Sequence, residues 1–106
     1  MKILFDQGTP APLRKFLYGH DVKTAFEMGW SKLSNGLLVD RADGEFDLMI
    51  TTDQSLRYQQ NLNARRLAIL ILPTTSWPKL QAWVDQIGAV VNVMQPATFH
   101  EFSPEP

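Results

Sequence analysis

Two aspartates stand directly behind apolar runs: Asp6 follows Ile3-Leu4-Phe5, and Asp53 follows the run that ends Ile50-Thr51-Thr52. Each run reads as a strand buried on both faces, so each carboxylate is expected at the mouth of a strand. A charge in that position costs free energy unless it is hydrated or partnered. Two carboxylates brought close repel one another, and the repulsion is relieved by a raised pKa or by a shared cation. With hard oxygen ligands and room for water, Mg²⁺ or Mn²⁺ is the expected cation, and Asp6 and Asp53 are its expected ligands.

The segment behind Asp53 is the second place where residue types suggest chemistry. Gln54, Ser55, Arg57, Tyr58, Gln60 and Asn61 read as one helix over residues 54–61. A helix start beside a metal can accept a phosphate. Arg57 is suited to gripping a phosphate oxygen and Tyr58 to stacking on a base. Arg65 and Arg66 extend the positive charge. A purely structural reading of the same residues has Asp53 capping the helix and Arg57, four residues on, pairing with it. His20 and His100 lack metal-ligand spacing, and His20 reads as a turn residue. The glycines are scattered singly, so there is no phosphate-cradling loop.

These residues need a scaffold, and the chain's 106 residues suffice for one domain with its own core. An apolar fraction of 44% with 20% charged residues is ordinary globular composition, which excludes a disordered or fibrous chain. The absence of cysteine excludes a disulfide framework, thiol catalysis and cysteine-ligated zinc. The first apolar stretch is too short for a signal peptide, and the longest run, 67–72, falls short of the roughly 18 residues of a membrane span. A soluble, cytoplasmic protein without a membrane partner is expected. A formal charge of -1 removes the global basic field of many nucleic-acid binders and leaves only local Lys/Arg clusters for RNA.

The pattern predicts strands at 3–5, 22–25, 46–52, 67–72 and 89–94. Between the first two, Thr9 and Pro10 start a helix whose stripe is Leu13, Phe16 and Leu17. Ser34 or Asn35 caps a second helix, with Leu37, Leu38 and Ala42 inward and Gly44 closing it. After 54–61, a fourth helix starts at Ser76 and Pro78, carries Leu80, Trp83, Val84 and Ile87, and stops at Gly88. Trp77 and Trp83 are expected in or against the core, and Trp30 in a pocket wall or partner surface. Alternation of strand and helix predicts an α/β three-layer sandwich, a mostly parallel sheet of four to five strands with helices on both faces. Residues 1–95 form the domain and 96–106 a loosely ordered C-terminal tail. In the common order 2-1-3-4-5, strands one and three are neighbours, and Asp6 faces Asp53 across the switch point.

Asp6-Gln7-Gly8-Thr9-Pro10, Glu27-Met28-Gly29-Trp30, and Phe46-Asp47 leading to Thr51-Thr52-Asp53-Gln54 resemble the PIN-like family, in its uncharacterised toxin-like bacterial branch related to VapC-like ribonucleases. The likeness spans about residues 1–72. It implies a PIN-like fold and Mg²⁺- or Mn²⁺-dependent cleavage of RNA phosphodiesters by the toxin of a toxin–antitoxin pair. An RNA substrate, an antitoxin partner and a homodimer are implied with it. Carried over, Asp6 and Asp53 match the strand-end acids, and Glu27 lies near a further acid, making a catalytic set of Asp6, Asp53 and Glu27. Gln54, Arg57, Tyr58 and Asn35 make the substrate-binding set. Gln7 and Asn35 are neutral where relatives often carry acids, so a full two-metal site is not expected. The rival expectation is a catalytically weak or inactive PIN-like domain that serves as a protein–protein binding module, its carboxylates acting as caps and acceptors.

Overall fold

A computed structural model describes residues 1–58 and 65–105. Five strands, β1 (Lys2–Phe5), β2 (Asp21–Thr24), β3 (Leu48–Thr51), β4 (Ala68–Ile71) and β5 (Phe99–Glu101), form one sheet in the order β2-β1-β3-β4-β5. Every pairing is parallel. The helices are α1 (Asn35–Ala42), α2 (Trp77–Gln81) and α3 (Val84–Val93), and 3₁₀ segments cover Ala11–Phe16 and Gln54–Tyr58.

Side-chain alternation along the strands explains the layers. Ile3, Phe5, Leu48, Ile50, Ala68 and Leu70 point to one face, where Leu13, Leu17, Leu80, Ile87, Val91 and Phe102 cover them. Leu4, Met49, Ile69 and Ile71 point to the other, under Ala25, Leu38, Val39, Ala42, Phe46 and Leu56. Burial on both faces is why these strands read as unbroken apolar runs. Each fully buried Leu, Ile or Phe contributes roughly 1.5–3 kcal/mol of transfer free energy, so the central strands anchor the fold. Trp77 and Trp83 lean on the first core. Trp30 packs on the second, edge-on to Phe46 at 6.1 Å between ring centres.

Connections β1–β2 and β4–β5 pass over the first face, and β2–β3 and, by its described residues Leu56 and Leu67, β3–β4 lie on the second. A crossover of fixed hand changes face when its direction along the sheet reverses. The first three connections obey that relation. The β4–β5 connection steps the same way as β3–β4 over the opposite face, so its hand is opposite to theirs.

Several local expectations are corrected. The run 89–94 is not a strand: residues 89–93 are the second half of α3 and Met94 is its C-cap. Ile87 and Val91, four residues apart, are buried while Ala89 and Val93 face out, a helical period that passes straight through Gly88. The last strand lies instead at Phe99–Glu101, within the segment read as a tail, and Phe102 behind it is buried. Ala97, before that strand, has φ 61, and its N–H donates to the Arg66 carbonyl at 2.8 Å. The first helix is a 3₁₀ segment that follows Pro10 and contains Pro12, each without an N–H to donate. Thr9 does not cap it.

The third helix is likewise 3₁₀ over Gln54–Tyr58. Residues 59–61 of the expected helix, with Gln60 and Asn61, lie outside the described residues. In α1 the cap is Ser34, whose Oγ accepts from Leu37 N–H, and the inward stripe is Leu38, Val39 and Ala42. Leu37 is 52% exposed. No helix among the described residues is long and apolar enough to cross a membrane.

Candidate functional site

At the carboxyl end of the sheet, β1 and β3 run side by side with Phe5 opposite Ile50. Asp6 N–H donates to the Ile50 carbonyl at 3.2 Å, carrying the ladder one step past β1. Asp6 is only 4% exposed. Its Oδ1 accepts from Thr9 N–H at 3.0 Å and lies 2.7 Å from the Thr9 hydroxyl, which also lies 3.0 Å from the Ile50 carbonyl oxygen. Its Oδ2 accepts from the Thr51 hydroxyl at 2.5 Å. Thr9 therefore closes the turn behind β1 by serving Asp6.

The same Thr51 oxygen accepts from Asp53 N–H at 3.0 Å. One buried hydroxyl thus joins the first aspartate to the backbone of the second. The Asp53 carboxylate turns to its own surroundings: Oδ1 accepts from Ser55 N–H at 2.9 Å and from the Ser55 hydroxyl at 2.6 Å, and Oδ2 from the Asn35 amide at 2.9 Å. These donors, led by the Ser55 hydroxyl and then Asn35, hold its pKa below the usual aspartate value, against a smaller opposing effect of burial. The loops behind β1 and β3 touch at Gly8, where an added Cβ would lie 2.3 Å from Thr52 Oγ1.

Glu27 lies elsewhere and has other partners. Its carboxylate takes both terminal nitrogens of Arg14, at 2.8 and 3.1 Å, and Thr24 N–H at 2.9 Å. Glu27 N–H returns a bond to the Thr24 hydroxyl at 3.1 Å, the reciprocal pattern of a capping box. Arg14 first, and Thr24 N–H second, bring the Glu27 pKa down to about 2. Asp6 and Glu27 both line a cleft of about 560 Å³ beside the Ala11–Phe16 segment, and Asp53 is not among its walls.

Of the expected substrate-binding residues, Asn35, Gln54 and Arg57 are engaged internally. Asn35 is bonded to Asp53, and Gln54 Nε2 donates to the Leu72 carbonyl at 2.7 Å. Arg57 contacts Gln54 and pairs with Glu101 of β5 at 2.9 Å. Tyr58 ends its 3₁₀ segment. Gln7 donates its amide to the Ser31 carbonyl, and His20 bonds Asn92 at 2.7 Å. Sequence reading missed Thr9, Thr51 and Arg14. Thr9, three residues after Asp6, and Thr51, two residues before Asp53, each lie close in sequence to a strand-end aspartate, a readable signal for the first two, whereas Arg14 is 13 residues from Glu27 on a different element.

The donor set limits what a cation would find. An ionised carboxylate has roughly four acceptor positions. Asp6 and Asp53 each already face three protein donors. No group of three or more His, Cys, Asp or Glu side chains suited to a metal occurs among the described residues. By count of donors among the described residues, one position remains on each carboxylate. That is too few for a two-metal centre.

No family model matches the chain, and no curated protein or solved structure matches it either.

Proposed function

We propose that this chain is a PIN-like endoribonuclease, the toxin of a toxin–antitoxin pair, using one divalent cation at Asp6 and Asp53. The observation that supports the reading is the meeting of Asp6 with the Thr51–Asp53 segment at the carboxyl end of neighbouring parallel strands. This is where an open α/β sheet binds its ligands. A bound Mg²⁺ or Mn²⁺ supplies charge neutralisation and an activated water for attack on phosphorus. Thr9 and Thr51 fix the Asp6 carboxylate, and Ser55 and Asn35 fix that of Asp53, so both are held in place before a ligand arrives. Glu27 belongs to the ion pair with Arg14 and is not assigned to the metal.

The test is cleavage of a generic single-stranded RNA in Mn²⁺ or Mg²⁺ by the wild type, Asp6→Asn and Asp53→Asn. Activity in the wild type, lost in both variants, is expected. Equal rates in all three remove the site.

A second reading, a PIN-like binding module without catalysis, draws on the six protein donors that already meet the two carboxylates. Calorimetric titration with Mn²⁺ separates the two. Heat of binding that vanishes in Asp6→Asn excludes the module reading.

A further inference from the structure

The cleft beside Asp6 has walls that the aspartate pair does not explain. Among the described residues that line it, Arg14 alone is cationic. Its guanidinium presents two nitrogens side by side to the Glu27 carboxylate, at 2.8 and 3.1 Å. That fork matches a phosphate as well as it matches a carboxylate. Phe26, next to Glu27 in the chain, is 78% exposed and belongs to neither core. Trp77 forms a further wall, its ring tilted against Phe16 at 5.8 Å. The volume, about 560 Å³, falls within the range of small-ligand sites.

We propose that this cleft binds one nucleotide of single-stranded RNA, the phosphate taken by Arg14 in exchange for Glu27 and the base stacked on Phe26. The proposal rests on the ribonuclease reading only for the choice of polymer. Glu27 acts here as an internal competitor. When Arg14 turns to a phosphate, Thr24 N–H still holds the Glu27 carboxylate at 2.9 Å, so the exchange does not require the turn to unfold. With Asp6 and Glu27 set against Arg14, the wall carries net negative charge. Neutralising Glu27 therefore strengthens the site, the reverse of what a catalytic acid or metal ligand at that position would show.

The experiment measures binding of labelled pentauridylate by fluorescence anisotropy in EDTA over a salt series, so that neither metal nor cleavage enters. Glu27→Gln keeps an oxygen for Thr24 N–H and should bind up to about fivefold more tightly. Phe26→Ala should bind roughly tenfold more weakly. In Arg14→Gln the slope of log K against log salt should become shallower by about 0.7, the share of one phosphate contact on a single strand. Arg14→Lys should keep the slope and lose affinity, since it retains the charge and loses the fork. Thermal midpoints of each variant verify folding. Unchanged affinity in Glu27→Gln, an unchanged slope in Arg14→Gln, or equal affinity for a phosphoserine peptide overturns the proposal.

Binding with the expected pattern, and no RNA cleavage by the wild type in Mn²⁺, removes the ribonuclease reading and leaves this one. Cleavage lost in Asp6→Asn, with binding indifferent to positions 14, 26 and 27, removes this one alone.

Discussion

Thr51, the last residue of β3, and Asp6, one step past the end of neighbouring β1, share one short hydrogen bond, from Thr51 Oγ1 to Asp6 Oδ2 at 2.5 Å, in a place where neither is open to solvent. The hydroxyl also accepts from Asp53 N–H. Thr51→Val has nearly the same shape and leaves a buried carboxylate oxygen and a backbone N–H without this partner. It should destabilise the fold by about 2–4 kcal/mol. Thr51→Ser keeps the hydroxyl, loses a methyl group and should cost only about 1 kcal/mol. Urea denaturation of the two variants checks the order, and a Val variant no worse than the Ser variant would remove the linking role of the hydroxyl.

The Arg14–Glu27 pair gives stability a definite acid dependence. The folded-state pKa of Glu27, about 2, lies below that of an unfolded glutamate. The folded state therefore binds fewer protons, and the stabilisation is complete above the unfolded pKa. It fades as pH falls from the ordinary carboxylate range toward 2. Asp53, also lowered, contributes with the same sign. Thermal midpoints between pH 6 and 3 should fall less steeply for Glu27→Gln than for the wild type. Because both partners are substantially exposed, added salt should shrink the difference.

Helix α1 offers a paired comparison between adjacent leucines. Leu38 is fully buried against the sheet and Leu37 lies half outside. Leu38→Ala should cost about 2–5 kcal/mol through lost burial and the cavity left behind. Leu37→Ala should stay within about 0.5 kcal/mol. Chemical denaturation midpoints measure both.

Ala97 adopts a backbone conformation that a Cβ disfavours. Ala97→Gly should stabilise the protein by about 0.5–1 kcal/mol, the relief of strain outweighing the added freedom of the unfolded chain. A lowered melting temperature would show that the surrounding contacts need the methyl group.

What could be read from the residues followed from burial. Strands β1, β3 and β4 are sandwiched on both sides, so their apolar runs and the aspartates behind β1 and β3 stood out. The common order 2-1-3-4-5 is the one observed, although its fifth strand is a different segment from the one expected. β5 was hidden because its three residues are exposed at the edge of the sheet and leave no apolar run. α3 was misread because Val90, Val91 and Val93 favour strands by type, while the buried positions Ile87 and Val91 follow the helical period. In the site, strand ends disclosed Asp6 and Asp53. The partners of Glu27 and Arg57 come from elements distant in sequence, Arg14 and Glu101, and no local spacing announces such pairs.

The contact between Gly8 and Thr52 has an evolutionary corollary. Because a methyl group at position 8 would collide with the Thr52 hydroxyl, homologous sequences that abandon glycine there should carry a smaller residue at 52 in compensation. Substitutions at the two positions should be inherited together, tying the first loop of the molecule to one more than forty residues downstream.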